Sequence, residues 1–335
     1  MTKLPEYTDQ TDKDSQYLHS QYIDTESELV KELSKYESIE SAYLYRGVNE
    51  ARFKMFSSSQ RNWIQQSAIV QKMGKSSYYD FIEELIRRTS CLAEVQAYMK
   101  KQNVSYNEMF ILALMQHFCL PSPMLDFSHS LEIGLFFATD NLNPWVDKGT
   151  NNLDDYVSLY LIPNSIDWVQ ATIQNVMLNA AYNIENYVED LKKNHPNIRI
   201  DTSTEEDNIR EAKFRQFRLS STSSIQFLPI EGPAGGRVNI SIPILNLHCD
   251  YYIINDRIIK QQGMFIANFT EDRPLAEVMN SVCQRPLFIC LNIRKNLIPF
   301  IRTKFLLPQR LTHNSIYCVG DSEVEALQNS INTLW

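Results

Sequence analysis

The chain has 335 residues, a hydrophobic fraction of 44% and a formal net charge of −8, which is ordinary composition for a globular protein of one large domain or two closely packed ones. That charge gives no general attraction to polyanions, and the Lys and Arg residues are scattered, so no nucleic-acid patch is evident. Nine glycines argue against a scaffold of Gly-rich phosphate loops, and six cysteines without a CxxC or a Cys/His cluster suggest neither a zinc site nor a disulfide framework.

Residues 1–20 are polar and read as a frayed lead-in, with no apolar core for a signal peptide. Helical spacing begins behind Thr25 and Ser27, where Leu29, Val30, Leu33 and Tyr36 share a face. Residues 1–40 thus read as a helical extension. AYLYRGV (42–48) is rich in aromatic and branched residues and predicts a strand carrying Arg46. From Asn62 to about Lys101 helix formers dominate, and NEMFILALMQHF (107–118) is apolar on nearly every side, as a buried helix would be.

Pro121 and Pro123 end that helix, because proline lacks the amide that a helix interior needs. The residues after it, up to Ser130, read as a Pro-bounded turn. LEIGLFFATD (131–140) predicts a helix and YVSLYLIP (156–163) a strand, and about 142–222 resembles a polar insertion. Strand-like runs follow from Ile225, among them QQGMFIANF and PLFICLNI, and VEALQNSINTL returns to helix. The class expected is α+β, a helical first half packed on a twisted, mainly antiparallel sheet. No window has the ~20 apolar residues of a bilayer span, and a cytoplasmic location is expected.

A guanidinium on an apolar strand, Arg46 beside Gly47, needs an anionic or carbonyl partner. A phosphate, a ribose, or an internal carboxylate such as Asp126 or Glu50 would serve. Gln116, His117, Asp126, Ser128 and His129 are placed to converge in a cleft. For Asp126 or Ser128 taken alone, a cap on the next helix is the simpler account, and for His117 a satisfied core histidine. Gln261 and Gln262, just before Gly263, offer neutral amides for ribose hydroxyls or sheet-edge carbonyls but cannot act as a general base. The sequence has no GxSxG, Walker, GxGxxG or HExxH motif.

Tyr45-Arg46-Gly47, a downstream Arg61, QHFCLPSPMLDFS, IGLFFATD, Asn255 with Arg257, and QQGMF occur in the order that resembles the FRG domain family. Cys119, Pro123, Phe127 and Ser128 depart from that family's glycine, arginine, tryptophan and threonine. The lost arginine alters the charge of any pocket. The resemblance extends distantly to ADP-ribosyltransferases, which bind NAD and transfer ADP-ribose. It implies that Arg46 holds a phosphate or ribose of NAD, that Ser128 orders the nicotinamide pocket and that Gln261 bonds the nicotinamide ribose. Gly47, His117, Asp126 and Gln262 complete the implied NAD-binding set, with a protein target and a setting of bacterial conflict or phage defence. The third motif, Gln261-Gln262-Gly263, lacks the glutamate usual in those enzymes, so a non-catalytic binding domain is the alternative.

Overall fold

The computed structural model describes residues 3–37, 43–101, 108–118, 120–142, 152–163, 225–228, 237–242, 247–252, 260–283 and 285–317, with 325, 326 and 329. Its centre is a seven-stranded sheet in the order β1-β9-β4-β2-β3-β8-β5. The strands are β1 (His19–Ile23), β2 (Tyr43–Val48), β3 (Met124–Ser128), β4 (Tyr156–Pro163), β5 (Ile225–Leu228), β8 (Gly263–Asn268) and β9 (Ile289–Arg294). Only β1 and β9 run parallel, and the other neighbours are antiparallel. A separate hairpin joins β6 (Arg237–Ile242) to β7 (Leu247–Tyr252). The α+β class and the mainly antiparallel sheet agree with the sequence.

Both faces of the central strands are covered, and their side chains alternate between two cores as the two-residue period requires. Val157, Leu159 and Leu161 of β4 face a cluster with α2 (Glu26–Glu37) and α8 (Leu131–Thr139). Tyr156, Tyr160 and Ile162 face the opposite way, toward Tyr7, Tyr17 and α9 (Leu275–Cys283). A third cluster belongs to α3 (Ser58–Ile64), α4 (Ala68–Met73), α5 (Tyr78–Ser90), α6 (Ala93–Lys101) and α7 (Glu108–His117), which close over Met124, Phe265 and Ala267 of β3 and β8. Residues 111–115 of α7 are all buried, which is why that helix is apolar on every side.

Two sequence readings do not hold. The lead-in before residue 20 is docked: α1 (Gln10–Asp14) and its flanks bury Tyr7, Lys13 and Tyr17, and the polar HSQYI becomes edge strand β1. MLDFS, read as part of a turn, is strand β3, paired with β8 at all five positions. The proline-bracketed stretch therefore leads from helix to strand. Of the expected insertion at about 142–222, residues 152–163 are described and their β4 lies inside the sheet between β9 and β2, while the rest, almost all of the closing helix, Cys119, Asn255 and Arg257 lie outside the described residues. Among the described residues no helix is long and apolar enough to cross a membrane.

Gly47 is explained by packing. A Cβ on it would lie 2.1 Å from the Gly134 carbonyl oxygen and 2.2 Å from the Ala138 amide, both backbone atoms of α8. A Cβ on Gly134 would in turn lie 2.8 Å from the Cβ of Tyr45. The two glycines let helix and strand touch backbone to backbone, so the Gly47 of the YRG motif serves this contact.

Candidate functional site

The sheet has a split at its middle. β2 pairs with β4 along its whole length, and β3 pairs with β8 along its own, but β2 and β3 meet only where Tyr45 faces Ser128. Beyond that point the strands part. Tyr45 and Gly47 face α8, so strand alternation sends Arg46 to the other side, with its guanidinium 5.9 Å from the centre of the Phe127 ring. Arg46 Nη1 donates to the Asp126 carbonyl oxygen at 2.7 Å, a bond that takes the place of a ladder hydrogen bond where the strands diverge.

A cavity of about 720 Å³ opens at this split. Arg46, Arg61, Gln116, Asp126 and Gln261 line one part of it, and Phe137 and Tyr317 add aromatic wall. The Asp126 carboxylate stands 4.0 Å from Arg46 Nη1 and accepts from Gln116 Nε2 at 2.6 Å. Its side chain keeps 34% of its surface accessible, against 17% for Arg46, so the acid faces the opening and the guanidinium lies deeper. Burial pushes the Asp126 carboxyl up from the usual carboxylate range, opposed by Arg46, Gln116 and Arg61. Arg46 Nε and Gln116 Oε1 are buried without a hydrogen-bond partner among the described residues.

Arg61 is placed by local chemistry at the start of α3. Ser57 and Gln60 form a capping box, and the Gln60 amide donates to the Thr270 and Arg273 carbonyls at 2.7 and 2.9 Å, tying that helix end to the chain beyond β8. The next residue, Arg61, has one long bond to the Phe56 carbonyl, 3.4 Å, and no ion pair among the described residues. Enclosure by protein, and then the charge of Arg46, lower its pKa. Two guanidiniums thus repel each other across a cleft that has one nearby carboxylate.

The remaining expected site residues fall into two sets. Gln261 lines the cavity, and its Nε2 donates to the Ile316 carbonyl at 3.4 Å in α10 (His313–Tyr317). Ser128 does not line it. Its buried hydroxyl donates to the Gln261 carbonyl at 2.7 Å and accepts from the Ser130 amide at 3.0 Å. It holds the second motif to the third rather than facing a ligand. The cap on α8 is Ser130, which accepts from the Ile133 amide, and Asp126 has no part in it. Glu50 is not the partner of Arg46; it pairs with Lys295 at 2.8 Å.

Gln262 is exposed, with φ 43° in the left-handed region, and its carbonyl accepts from the His129 amide at 3.0 Å. Burial lowers the pKa of the His129 ring. His117 ends α7, and its ring lies outside the described side chains. Among the described residues no group of three or more His, Cys, Asp or Glu could hold a metal ion.

Residues 41–145 match the model of the FRG domain family. The chain carries an FRG domain. The match takes in the YRG strand, Arg61, α7, β3 and α8, and so both walls of the split in the sheet, while Gln261 lies outside it. No curated protein and no solved structure matches the chain.

The sequence reading missed a second part of the cavity wall. Lys3, Glu6, Arg52, Phe53 and Lys54 all line it. In a chain of net charge −8, the cavity collects, among the described residues, five cationic side chains (Lys3, Arg46, Arg52, Lys54 and Arg61) against two acidic ones, Glu6 and Asp126. No motif marks Lys3, Glu6, Arg52 and Lys54. They meet Arg46 only because the docked lead-in lies against the turn after β2, where Glu6 bridges Phe53 and the Tyr7 amide donates to the Arg52 carbonyl.

Proposed function

We propose that the cleft of this FRG domain binds an anionic nucleotide, with NAD the first candidate, and serves ADP-ribosyl transfer to a protein target, in bacterial conflict or phage defence. The observation that carries the reading is Arg61, without an ion pair among the described residues, beside Arg46 in a cationic cavity of an acidic protein. Arg46 is largely buried and Arg61 is exposed on the same cavity wall, so a diphosphate entering the cleft would meet both guanidiniums at once.

The residues fit such a ligand. The cavity volume lies within the roughly 300–1,000 Å³ of small-molecule sites. The side chains of Arg46, Gln116 and Gln261 all line the cavity and supply guanidinium and amide groups for phosphate and ribose hydroxyl. Ser128 acts as a positioning residue through the Gln261 carbonyl. The third motif carries no carboxylate, so Asp126 is the group available to face positive charge developing on the sugar.

NAD at millimolar concentration should raise the melting temperature of the wild type and not that of Arg61→Ala, because only the folded site binds it. Labelled NAD should also leave labelled product on a protein of a cell extract. An unchanged midpoint with no product would overturn the reading.

The non-catalytic alternative has one observation in its favour: Arg46 and Ser128 each spend a hydrogen bond on a backbone carbonyl. Asp126→Asn separates the two. In a transferase it abolishes product while NAD still shifts the melting temperature. In a binding domain the wild type shows the shift and no product.

A further inference from the structure

We propose that the outer part of the cleft, around Lys3, Arg52 and Lys54, is a second anion subsite. Glu6 of the docked lead-in occupies it as an internal competitor. The inference rests on the anionic-ligand reading above and adds the class of ligand: one with a phosphate chain long enough to reach from Arg46 and Arg61 to Arg52.

Glu6 is the acid of this group. Its carboxylate lies 3.1 Å from Lys3 Nζ and 3.9 Å from Arg52 Nη1, and all three side chains line the same cavity as Arg46. A carboxylate among cations on a cleft wall takes the place that a ligand oxygen would take. Its hold is weak. Lys3 is 80% exposed, and Arg52 divides its charge among Glu6, Asp154 at 3.3 Å and Glu50 at 4.0 Å. Glu6 is itself 21% exposed, but with its cations 80% and 38% exposed these pairs are screened by solvent and contribute little.

The lead-in is built to let Glu6 move while its root stays. At the root, Tyr7 and Tyr17 are buried with their hydroxyls 2.6 Å apart, and Lys13 is fully buried. At the tip, one bridge between Glu6 and Phe53 carries the backbone contact. An incoming terminal phosphate can therefore replace the Glu6 carboxylate beside Lys3 and Arg52 without undocking α1. Lys54, on the same wall, stays paired with Glu277 at 3.0 Å.

The experiment measures binding of inorganic phosphate and of pyrophosphate to the full chain by calorimetry, for wild type, Glu6→Gln and Arg61→Ala. Removing the competitor charge should tighten pyrophosphate about fivefold and leave inorganic phosphate, held at the inner arginines, unchanged. Melting without ligand checks that Glu6→Gln is folded.

If Glu6→Gln binds pyrophosphate no tighter than wild type while Arg61→Ala loses it, the outer subsite is refuted and the inner site stands. Tightening by Glu6→Gln with no loss in Arg61→Ala supports the outer subsite and removes the inner one. A wild type that binds neither anion overturns both.

Discussion

Lys13, fully buried, and Arg61, exposed on the cleft wall, are both cations without an ion pair among the described residues, and they stand at opposite ends of a scale of satisfaction. Lys13 Nζ donates to the Ala51 carbonyl and, at 2.7 Å, to Ser158 Oγ. It lies 5.4 Å from the centres of the Tyr7 and Tyr160 rings, and Ser158 passes its own hydrogen on to Asn292 at 2.8 Å. It does not line the cleft. Arg61, with one long bond and an open cavity before it, has donors left over. Burial alone does not mark a functional charge. What separates the two sites is whether the protein itself completes the hydrogen bonding, since a complete polar network fixes a fold and an incomplete one beside a cavity is suited to a ligand.

Replacing Lys13 is the strongest way to sharpen that contrast. Lys13→Ala leaves the Ala51 carbonyl and Ser158 short of a donor and opens a void among the tyrosines. It should destabilise the fold by about 3 kcal/mol in urea unfolding. A loss near zero would break the comparison.

The second test is pH. Burial holds the Lys13 ammonium at about 8, below the ordinary lysine value. Above that point the folded chain gives up a proton that the unfolded chain still binds. Stability should therefore rise from pH 8 toward pH 10, by on the order of 2 kcal/mol relative to Lys13→Met, and show no such rise below pH 8. The window stops there because burial raises Tyr17 and Tyr160 well above the usual range, so ionisation of tyrosine in the unfolded chain opposes the trend at higher pH.

Ser128 lies between the two extremes, as a buried hydroxyl inside the motif set. Ser128→Ala frees the Gln261 carbonyl and the Ser130 amide, which should cost about 1 kcal/mol of stability and weaken nucleotide binding through a displaced Gln261. Loss of binding with unchanged stability would instead mean direct ligand contact. The smallest effect on folding is expected for Arg61→Ala. It should change stability by less than about 0.5 kcal/mol, because the side chain holds little of the fold, while removing the NAD-induced shift in melting temperature.

Elements whose signal is local were legible. The buried helix α7 is written in consecutive apolar residues, β4 in an apolar strand run, α8 in IGLFFAT, and the strand carrying Arg46 in YLYRGV. Elements whose only reason is a distant partner were not. β1 is polar, and it is a strand because Ile289–Arg294 lies alongside it in parallel register. β3 has five residues between prolines and a helix cap, too few for alternation to declare itself, and its partner β8 comes more than a hundred residues later. Of the site, Arg46, Asp126 and Gln261 were legible as polar groups set in apolar surroundings. Ser128, expected to order a nicotinamide pocket, makes its hydrogen bonds to the Gln261 carbonyl and the Ser130 amide, partners that only the fold supplies.

By itself the sequence determined that the chain has an FRG domain, an α+β class, an arginine on a strand beside a glycine, and a helix stopped by prolines so that Asp126 follows at once. These follow from residue type and short spacing. Only the tertiary structure decided that β2 and β3 part after a single pair, that no described carboxylate pairs with Arg61, and that Glu6 and Lys3 fold back onto the cleft. Those facts depend on which distant backbone groups meet and which charges are left unpaired when they do, and that is set by packing of the whole sheet rather than by any one segment.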